Sequence, residues 1–293
     1  MVKAISFPPI RTKLTVLPLA AALLLAGCGL GGSGHKAPQT FTQAVFDPKN
    51  FVDPRGVGNP WFPLKPGMQW LREGTTLVGN RQVPNKVVVT ITDAIRVING
   101  VPAVLSYDHS VAAGEVVQES LDYFAMDKNG AIWVLAGATE QFEAGRFVAV
   151  DEVWMHGVEG SKAGTLMPAN PTVKTPPWSI AQPNGEDGDA AKVQRIQAKE
   201  CEPFRCFNDV LVVEEGKRKA LNNEFKYYVR GVGQIRNEPL AASRHEDIER
   251  LINVTQLSPR GLTEATDEAL RIDAQAAKEW PKIFGRAKAS RTF

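Results

Sequence analysis

One run of residues, in which every second side chain would lie on the same face of a strand, ends in a pair of residues typical of a tight turn. This run limits the possible folds of the chain more than any other feature. Within residues 86–98, Val87 and Val89 occupy every second position, and the residues between them would lie on the opposite face of a strand. Successive side chains of a strand point to opposite faces, so the pattern predicts a β-strand. Asn99 and Gly100 follow, and both accept the positive φ that a two-residue hairpin needs. The sequence therefore predicts an antiparallel hairpin at this point.

Similar runs recur along the chain, separated by turns rich in Gly, Pro and Asn. They are not separated by amphipathic helices, which excludes a doubly wound α/β fold. The predicted fold is mainly β: an antiparallel curved sheet, as a sandwich or half-barrel, with a long Gly/Pro-rich insert and a C-terminal helix. The predicted strands begin at Met68 and continue at 86–98, 101–109, 116–126, 131–135, 146–155, 191–197, 209–215, 224–230, 233–237 and 248–256.

Two segments depart from the strand pattern. Residues 157–188 are rich in glycine and proline, and proline donates no hydrogen bond to a sheet. We expect this insert to be irregular and to be functional or to cover an opening of the sheet. Residues 263–280 predict a helix ended by Pro281. Its apolar face consists of Ala265, Ala269, Ile272, Ala276 and Trp280.

The beginning of the chain has the layout of a bacterial lipoprotein signal. A basic head without acidic residues precedes an apolar run at 14–26, which ends in Leu25-Ala26-Gly27-Cys28. The run is shorter than the about 20 residues that span a bilayer. We predict that residues 1–27 are a cleaved signal peptide and that Cys28 is lipidated, palmitate included, which anchors the chain to a membrane. A secretory signal with an incidental cysteine is the alternative.

The mature chain is predicted to have three parts. Residues 28–45 form a flexible tether rich in Gly and Ser, 46–257 the antiparallel β-domain, and 258–293 a helical tail. The expected location is the cell envelope. In a Gram-negative cell we expect the outer membrane, facing the periplasm, because Gly29 and not aspartate follows the lipidated cysteine.

The charge balance argues against nucleic-acid partners. The chain has 34 basic and 32 acidic residues, a net charge of +2. Lys3, Arg11 and Lys13 lie in the predicted signal, which has no acidic residue, so the mature chain carries −1. A nucleic-acid binder would carry a basic excess. Residues 160–165 lack the Gly-Lys-Ser/Thr ending of a phosphate loop. We expect no nucleic acid, no nucleotide and no cofactor.

Cys201 and Cys206 are the cysteines that remain after lipidation of Cys28. An oxidising compartment favours joining them. Their spacing and the lack of a nearby histidine give little support to the alternative, a metal or redox pair. We predict a structural disulfide around residues 202–205, worth about 2 kcal/mol on the chain-entropy model.

The sequence contains no catalytic constellation, and its other candidate sites each have a structural alternative. Glu186, Asp187 and Asp189 are the candidate calcium ligands, or else form a polar turn. Trp61 and Trp178 lie in proline-rich loops. We expect these rings either to line a ligand pocket or to cap the sheet.

Turn and aromatic signatures recur in five segments of the chain. They are Asn-Pro-Trp-Phe-Pro-Leu-Lys-Pro-Gly-Met-Gln-Trp at 59–70, Leu-Asp-Tyr-Phe-Ala-Met-Asp-Lys-Asn-Gly-Ala-Ile-Trp at 121–133, Gly-Thr-Leu-Met-Pro-Ala at 164–169, Gly-Glu-Asp at 185–187 and Lys-Tyr-Tyr-Val-Arg-Gly-Val-Gly at 226–233. Together they resemble a family of uncharacterised bacterial exported proteins and lipoproteins, similar in outline to the half-barrel lipoprotein carriers. The resemblance covers residues 59–238, implies a curved antiparallel sheet and transfers no activity. This chain departs from the family pattern at 178–185 and in its two cysteines.

Three functions are compatible with these features. The leading hypothesis is a membrane-anchored, non-catalytic binding or structural domain that acts with an envelope protein. The first alternative is a carrier of lipid or another apolar ligand, which needs an apolar cavity of several hundred Å³. The second is a carboxylate-dependent hydrolase, which needs two carboxylates about 5–10 Å apart in a cleft. Its candidate residues are Asp122, Asp127, Glu186 and Asp187.

Overall fold

The antiparallel pairing expected from the sequence is present in one large curved sheet. The computed structural model describes residues 41–55, 58–185, 188–217, 224–240 and 247–291, which belong to one compact unit. The predicted fold class is confirmed: the chain is mainly β, with a curved antiparallel sheet and a C-terminal helix. The predicted signal peptide, Cys28 and most of the predicted tether lie outside the described residues.

Within these ranges the chain forms fourteen strands, two α-helices and two 3-10 turns at Pro48–Asn50 and Pro183–Gly185. The strands are β1 (Phe51–Val52), β2 (Met68–Val78), β3 (Arg81–Ile98), β4 (Val101–Ala112), β5 (Glu115–Asp127), β6 (Ile132–Glu143), β7 (Arg146–Met155), β8 (Gly164–Met167), β9 (Trp178–Ser179), β10 (Asp189–Cys201), β11 (Cys206–Lys217), β12 (Glu224–Val229), β13 (Gly233–Pro239) and β14 (Ile248–Gln256). The helices are α1 (Pro259–Glu279) and α2 (Pro281–Phe284).

The sheet consists of two meanders joined side by side. Strands β2 to β7 pair in chain order, strands β10 to β14 form the second meander, and β14 pairs with β2. At this seam, a Cβ on Gly74 would lie 1.7 Å from the carbonyl oxygen of Ile248. Only glycine allows β14 to come this close, so residue 74 helps to fix where the two meanders meet.

The predicted turn between β3 and β4 is confirmed. Asn99 has a φ of 48° and Gly100 a φ of 81°, the positive values that the turn needs. Strand β6 is longer than the predicted 131–135, since it continues to Glu143. Its small residues after Leu135 carry little strand signal, but pairing with β5 on one side and β7 on the other keeps the segment extended.

The Gly/Pro-rich insert connects the two meanders at a second place. Its composition predicted no regular strand, yet it contains the short strands β8 and β9, neither of which includes a proline. Strand β8 pairs with β6 and β9 pairs with β10. Lys162, just before β8, and Gln182, just after β9, exchange two backbone hydrogen bonds of 2.9 Å. The insert therefore continues the hydrogen-bonded network from the first meander to the second.

Alternation along the strands gives the sheet two different faces. In β5, Leu121 and Tyr123 belong to an apolar cluster that includes buried residues of α1, and we call this side the helix face. Asp122 and Phe124 point the other way, and we call that side the cavity face. A second apolar cluster, which includes Trp61 and residues of both meanders, lies on the cavity face.

Helix α1 begins one turn before the predicted residue 263. Ser258 caps it, since its Oγ accepts a hydrogen bond from the backbone N–H of Gly261 at 3.2 Å. Trp280 differs from the prediction: it lies beyond the last turn, is 43% exposed and donates its Nε1–H to the carbonyl oxygen of Val150 at 3.0 Å. The residues buried as predicted are Ala269, Ile272 and Ala276.

Neither helix in the described part of the chain has the length and apolar composition of a transmembrane span.

Candidate functional site

The curved sheet and the insert enclose a cavity on the cavity face. It consists of two adjoining spaces, of about 480 Å³ and about 630 Å³. The insert closes part of the smaller space with apolar side chains such as Leu166 and Ile180. The residues that line both spaces are Arg72, Asp108, Asp122, Trp154, Pro183, Asp189 and Glu249.

Acidic side chains outnumber basic ones in the cavity walls. Among the described residues, eight carboxylates and three basic side chains line the two spaces. The acids are Asp108, Asp122, Glu152, Asp189, Glu215, Glu224, Asp247 and Glu249, and the bases are Arg72, Lys217 and Lys226. A charge inside a protein is costly unless it has a partner, so the pairing of these groups decides what the cavity can bind.

The two innermost cations are already neutralised by acids of the wall. The Nζ of Lys226 lies 2.9 Å from a carboxylate oxygen of Glu215 and 3.1 Å from one of Glu224. An Nη atom of Arg72 lies 3.2 Å from Glu249, across the seam between β2 and β14. These ion pairs leave neither cation without an anionic partner.

The surroundings of Lys226 keep its ammonium group charged. Burial alone would lower the pKa of Lys226, but the attraction of Glu215 and Glu224 raises it well above its usual range. Tyr228 adds a hydrogen bond, since its hydroxyl donates to Glu215 at 3.1 Å. This network is a satisfied part of the wall and has little capacity left for a ligand.

Asp108 and Asp122 have no hydrogen bond or ion pair to a basic side chain among the described residues. Ser106 lies opposite Asp122 and Ser120 opposite Asp108, which makes the two carboxylates diagonal neighbours on one face of β4 and β5. The hydroxyl of Ser106 donates to Asp108 at 3.2 Å. The two acids therefore form a pair that lines the cavity and lacks a counter-charge.

The pKa values of this pair are shifted towards neutral pH. Burial, and then repulsion by Asp122, raises the pKa of Asp108 to about 7. Burial raises the pKa of Asp122 to about 6. The pair can therefore exchange protons near neutral pH, where an exposed aspartate would be fully ionised.

Trp154 of β7 brings an aromatic ring to the same part of the wall. Gly137 lies opposite it on β6, and a Cβ at residue 137 would lie 2.8 Å from the Nε1 of Trp154 and 3.7 Å from an oxygen of Asp122. The missing side chain at residue 137 makes room for the indole beside the carboxylate. Phe62 and Phe124 contribute an edge-to-face pair to the smaller space, with ring centroids 5.1 Å apart.

The structure places Trp61 and Trp178 in the hydrophobic core of the cavity face, not among the described residues of the cavity walls. Trp61 is 1% exposed, and the guanidinium of Arg230 lies 4.2 Å from its ring centroid. Trp178 is 4% exposed and lies in β9.

The disulfide predicted between Cys201 and Cys206 is present, and it joins directly paired residues of β10 and β11. Inside the loop, the fully buried Glu202 lies 2.6 Å from Arg236 and 2.9 Å from Arg250. The disulfide thereby holds the loop against β13 and β14. None of these five residues is among those that line the cavity.

Of the acids considered for a metal, Glu186 and Asp187 lie outside the described residues. Asp189 lines the cavity, and one of its carboxylate oxygens lies 3.0 Å from the Nζ of Lys217. In the ranges that the structure describes, no group of three His, Cys, Asp or Glu side chains converges as a metal site requires.

Of the four carboxylates considered for a hydrolase, Asp122 and Asp127 are the two that the structure describes, and they are not brought together. Asp122 lines the cavity, whereas Asp127 closes the turn between β5 and β6. Its carboxylate accepts hydrogen bonds of 2.9 Å from the backbone N–H groups of Asn129 and Ala131. The acid that does lie beside Asp122 is Asp108, which sequence reasoning did not select.

Sequence reasoning also missed Arg72 and Lys226. The usable signal was a charged residue between apolar or aromatic neighbours inside a strand, as Lys226 lies between Phe225 and Tyr227. A charge at such a position often marks a strand that faces a polar interior. The sequence could not show that strands of both meanders would bring these charges to one cavity.

No protein-family model matches this chain, and no curated protein matches it. Among solved structures, the chain is similar to a putative lipoprotein from Parabacteroides distasonis, with 12% identity, a TM-score of 0.38 and coverage of 67% of this chain and 99% of that chain. It is also similar to a putative exported protein with YmcC-like fold from Bacteroides fragilis, with 14% identity, the same coverage and a TM-score of 0.38. At these values the similarity supports no inference about ligand or activity.

Proposed function

We propose that this chain is a lipid-anchored protein of the cell envelope whose β-domain binds a polar ligand in the acid-lined cavity. The observation that carries the proposal is the pair Asp108 and Asp122, two carboxylates that line an interior space without a basic partner among the described residues. Such a pair costs folding stability. Groups with this cost and with perturbed pKa values are concentrated at functional sites.

The envelope location rests on the beginning of the sequence. A basic head, a short apolar run and the ending Leu25-Ala26-Gly27-Cys28 support export and acylation of Cys28. Two or more acyl chains, palmitate among them, would anchor the protein stably. The disulfide between Cys201 and Cys206 is compatible with an oxidising compartment. In a Gram-negative cell, Gly29 favours the outer membrane, facing the periplasm.

The cavity has the size of a small-molecule site, and its lining favours a polar ligand. The volumes of its two spaces fall in the range of about 300–1,000 Å³ that such sites occupy. A lipid or another apolar ligand would remove water from Asp108 and Asp122 and give no hydrogen bond in return. That loss costs several kcal/mol for each unpaired charge, so the lining disfavours the apolar-carrier hypothesis.

Native mass spectrometry of the full-length protein, purified from membranes in a nonionic detergent, tests this function. We expect a retained small polar molecule in the wild type, and its loss in the double variant Asp108→Asn, Asp122→Asn. Asp209→Asn is the matched control, because Asp209 is exposed and does not line the cavity. Retention of a fatty acid or phospholipid in all three proteins would favour the apolar-ligand carrier instead.

A carboxylate-dependent hydrolase is a second candidate, favoured by the same pair. Asp108, with a pKa of about 7, can hold a proton at neutral pH, whereas Asp122 has the lower pKa of about 6. Asp108 would give its proton to the leaving oxygen as the bond breaks, and Asp122 would take a proton from the attacking water. One water is consumed for each bond that is broken.

Release of p-nitrophenol from p-nitrophenyl glycosides and p-nitrophenyl esters tests the hydrolase. If it is correct, the wild type releases p-nitrophenol, and Asp108→Asn and Asp122→Asn each lower the rate by about 100-fold or more. Release no faster than in protein-free buffer would count against hydrolysis, while leaving the binding function intact.

A further inference from the structure

We infer that the ligand carries an alkylammonium group, and that Asp108 and Asp122, with Trp154 beside them, form the seat of that group. We call these three residues the amine seat. The inference rests on the proposed function, because it names the ligand class of the same cavity. It follows from the charge balance around the two carboxylates and from a buried acceptor that lines the same space.

The cations of the wall do not neutralise the amine seat. Arg72 is bonded to Glu249 at 3.2 Å, and Lys226 is bonded to Glu215 at 2.9 Å. Each neighbouring cation therefore comes with an anion, so the attraction of Arg72 for Asp108 and of Lys226 for Asp122 offsets the negative charge of the ionised seat only in part. The groups that face them are Arg72 and Glu249 for Asp108, and Lys226 and Glu152 for Asp122.

Asn237 supplies an independent reason to expect a ligand with N–H donors. It is 9% exposed, lines the smaller space, and its Oδ1 has no hydrogen-bond partner among the described residues. Its Nδ2 lies 3.5 Å from the carbonyl oxygen of Asp247, which orients the amide. A buried acceptor left without a donor is unfavourable, so this oxygen favours a ligand that brings one.

An ammonium group supplies the hydrogen-bond donors and the positive charge that the amine seat can accept. An ionised carboxylate and an amide oxygen only accept hydrogen bonds, and an ammonium group brings three donors and a full positive charge. The Trp154 indole beside Asp122 can add a cation–π contact. A divalent cation fits less well, because it needs about six oxygen ligands and the described residues provide no converging group of three.

Three probes of equal chain length test the inference: 1,8-diaminooctane, 1,8-octanediol and suberate. Their binding to the full-length protein is measured by isothermal titration calorimetry in a nonionic detergent at pH 8. We expect the diamine to bind about tenfold or more tightly than the diol, and suberate not to bind. We also expect weaker diamine binding at pH 5, where protons compete for the two carboxylates.

Variants show whether the preference comes from the seat. The double variant Asp108→Asn, Asp122→Asn should lose about tenfold or more in diamine affinity and bind the diol as the wild type does. Asp209→Asn is the matched control: this exposed residue has a φ of 52°, which asparagine tolerates. Its diamine affinity should stay within about twofold of the wild type.

The outcomes separate the inference from the function on which it rests. Equal binding of diamine and diol, or full diamine affinity in the double variant, overturns the amine seat and leaves a polar-ligand cavity standing. Binding of palmitate with no binding of the three probes overturns both. Circular dichroism of each variant confirms that it is folded, and neutral asparagines at these positions should not weaken the fold.

Discussion

Two charged side chains, one on each face of the sheet, differ in whether they have a partner of opposite charge. On the helix face, Arg96 is 1% exposed, is ion-paired to Asp273 of α1, and donates to the carbonyl oxygens of Phe284 and Ala287 at 2.6 Å each. On the cavity face, Asp108 has a serine hydroxyl and no base among the described residues. The paired charges fasten the C-terminal helices to the sheet, whereas the unpaired ones weaken the fold and leave room for a ligand.

The acids near Arg271 extend this contrast. Arg271 of α1 contacts the fully buried Glu140 at 2.7 Å and Glu119 at 3.0 Å. Burial alone would raise the pKa of Glu119, but hydrogen bonds from His109 and Tyr107 and the charge of Arg271 hold it below its usual value. Asp108, on the other face of the same strand pair, has a raised pKa. On this pair of strands, the carboxylate with basic partners is therefore held ionised more strongly than the one without them.

The variant Asp273→Asn should have the largest effect, because it would break the pairing on the helix face. Arg96 would keep its buried charge without a counter-charge, and we expect the free energy of unfolding to fall by about 3–5 kcal/mol. Urea unfolding followed by circular dichroism measures this change. The helix face would then hold a buried charge without a counter-charge.

Asp267→Asn on the same helix is the matched control. The side chain of Asp267 is 63% exposed, and its partner Arg291 is also on the surface. An exposed pair of this kind contributes only about 0–1 kcal/mol. If Asp273→Asn costs no more than this control, the Arg96 pair does not fasten the helix as described.

The variant Asp108→Asn should act in the opposite direction and stabilise the protein. The folded-state pKa is about 7 and the ordinary value is 3.8. Between these values the folded chain keeps a proton that the unfolded chain loses, so the free energy of unfolding falls as the pH rises. We expect the variant to gain about 1–2 kcal/mol at pH 8 and little at pH 4, since the partly buried side chain limits the effect.

Thermal unfolding between pH 4 and pH 8 measures the effect of Asp108→Asn. Asp209→Asn should leave the pH dependence of the wild type unchanged. An Asp108→Asn protein that is less stable than the wild type at pH 8 would show that Asp108 has a stabilising partner, and the contrast between the two faces would then be wrong.

The variant Ser258→Ala should have the smallest effect on stability of these three variants. It removes the cap of α1 and should cost about 1 kcal/mol of stability, whereas Ser258→Asp keeps a capping oxygen and should cost less. Diamine affinity, measured by calorimetry, should be unchanged in both variants. A change in affinity would mean that the helix face and the cavity face are coupled.

Local chemistry made much of the fold predictable from the sequence. The alternation in β3, the turn at Asn99 and Gly100, and the apolar stripe of α1 each reflect neighbours in the chain. The cavity could not be predicted in this way. Asp108 and Lys226 meet the same space because β14 pairs with β2 and the insert connects β6 to β10, and no local pattern encodes pairings between segments so far apart.

The acidic pair was hidden for a related reason. In the sequence, Asp108 and Asp122 lie in different strands, and only Asp122 was selected, as a candidate residue of a hydrolase. Their proximity depends on the register between β4 and β5, which places Ser106 opposite Asp122. A shift of one residue would have sent one carboxylate to the other face.

The seam between β2 and β14 has a consequence for the order in which the protein folds. A chain delivered from its N-terminus can form the meander β2 to β7 early, because each strand pairs with the next one. Strand β2 must then wait for β14, the last of the fourteen strands to arrive, and such distant pairings form slowly. Until then its outer edge is unpaired and prone to aggregation, and Arg72 lacks Glu249. The edge of β2 therefore stays open to pairing with other chains until the C-terminal part of the protein has emerged.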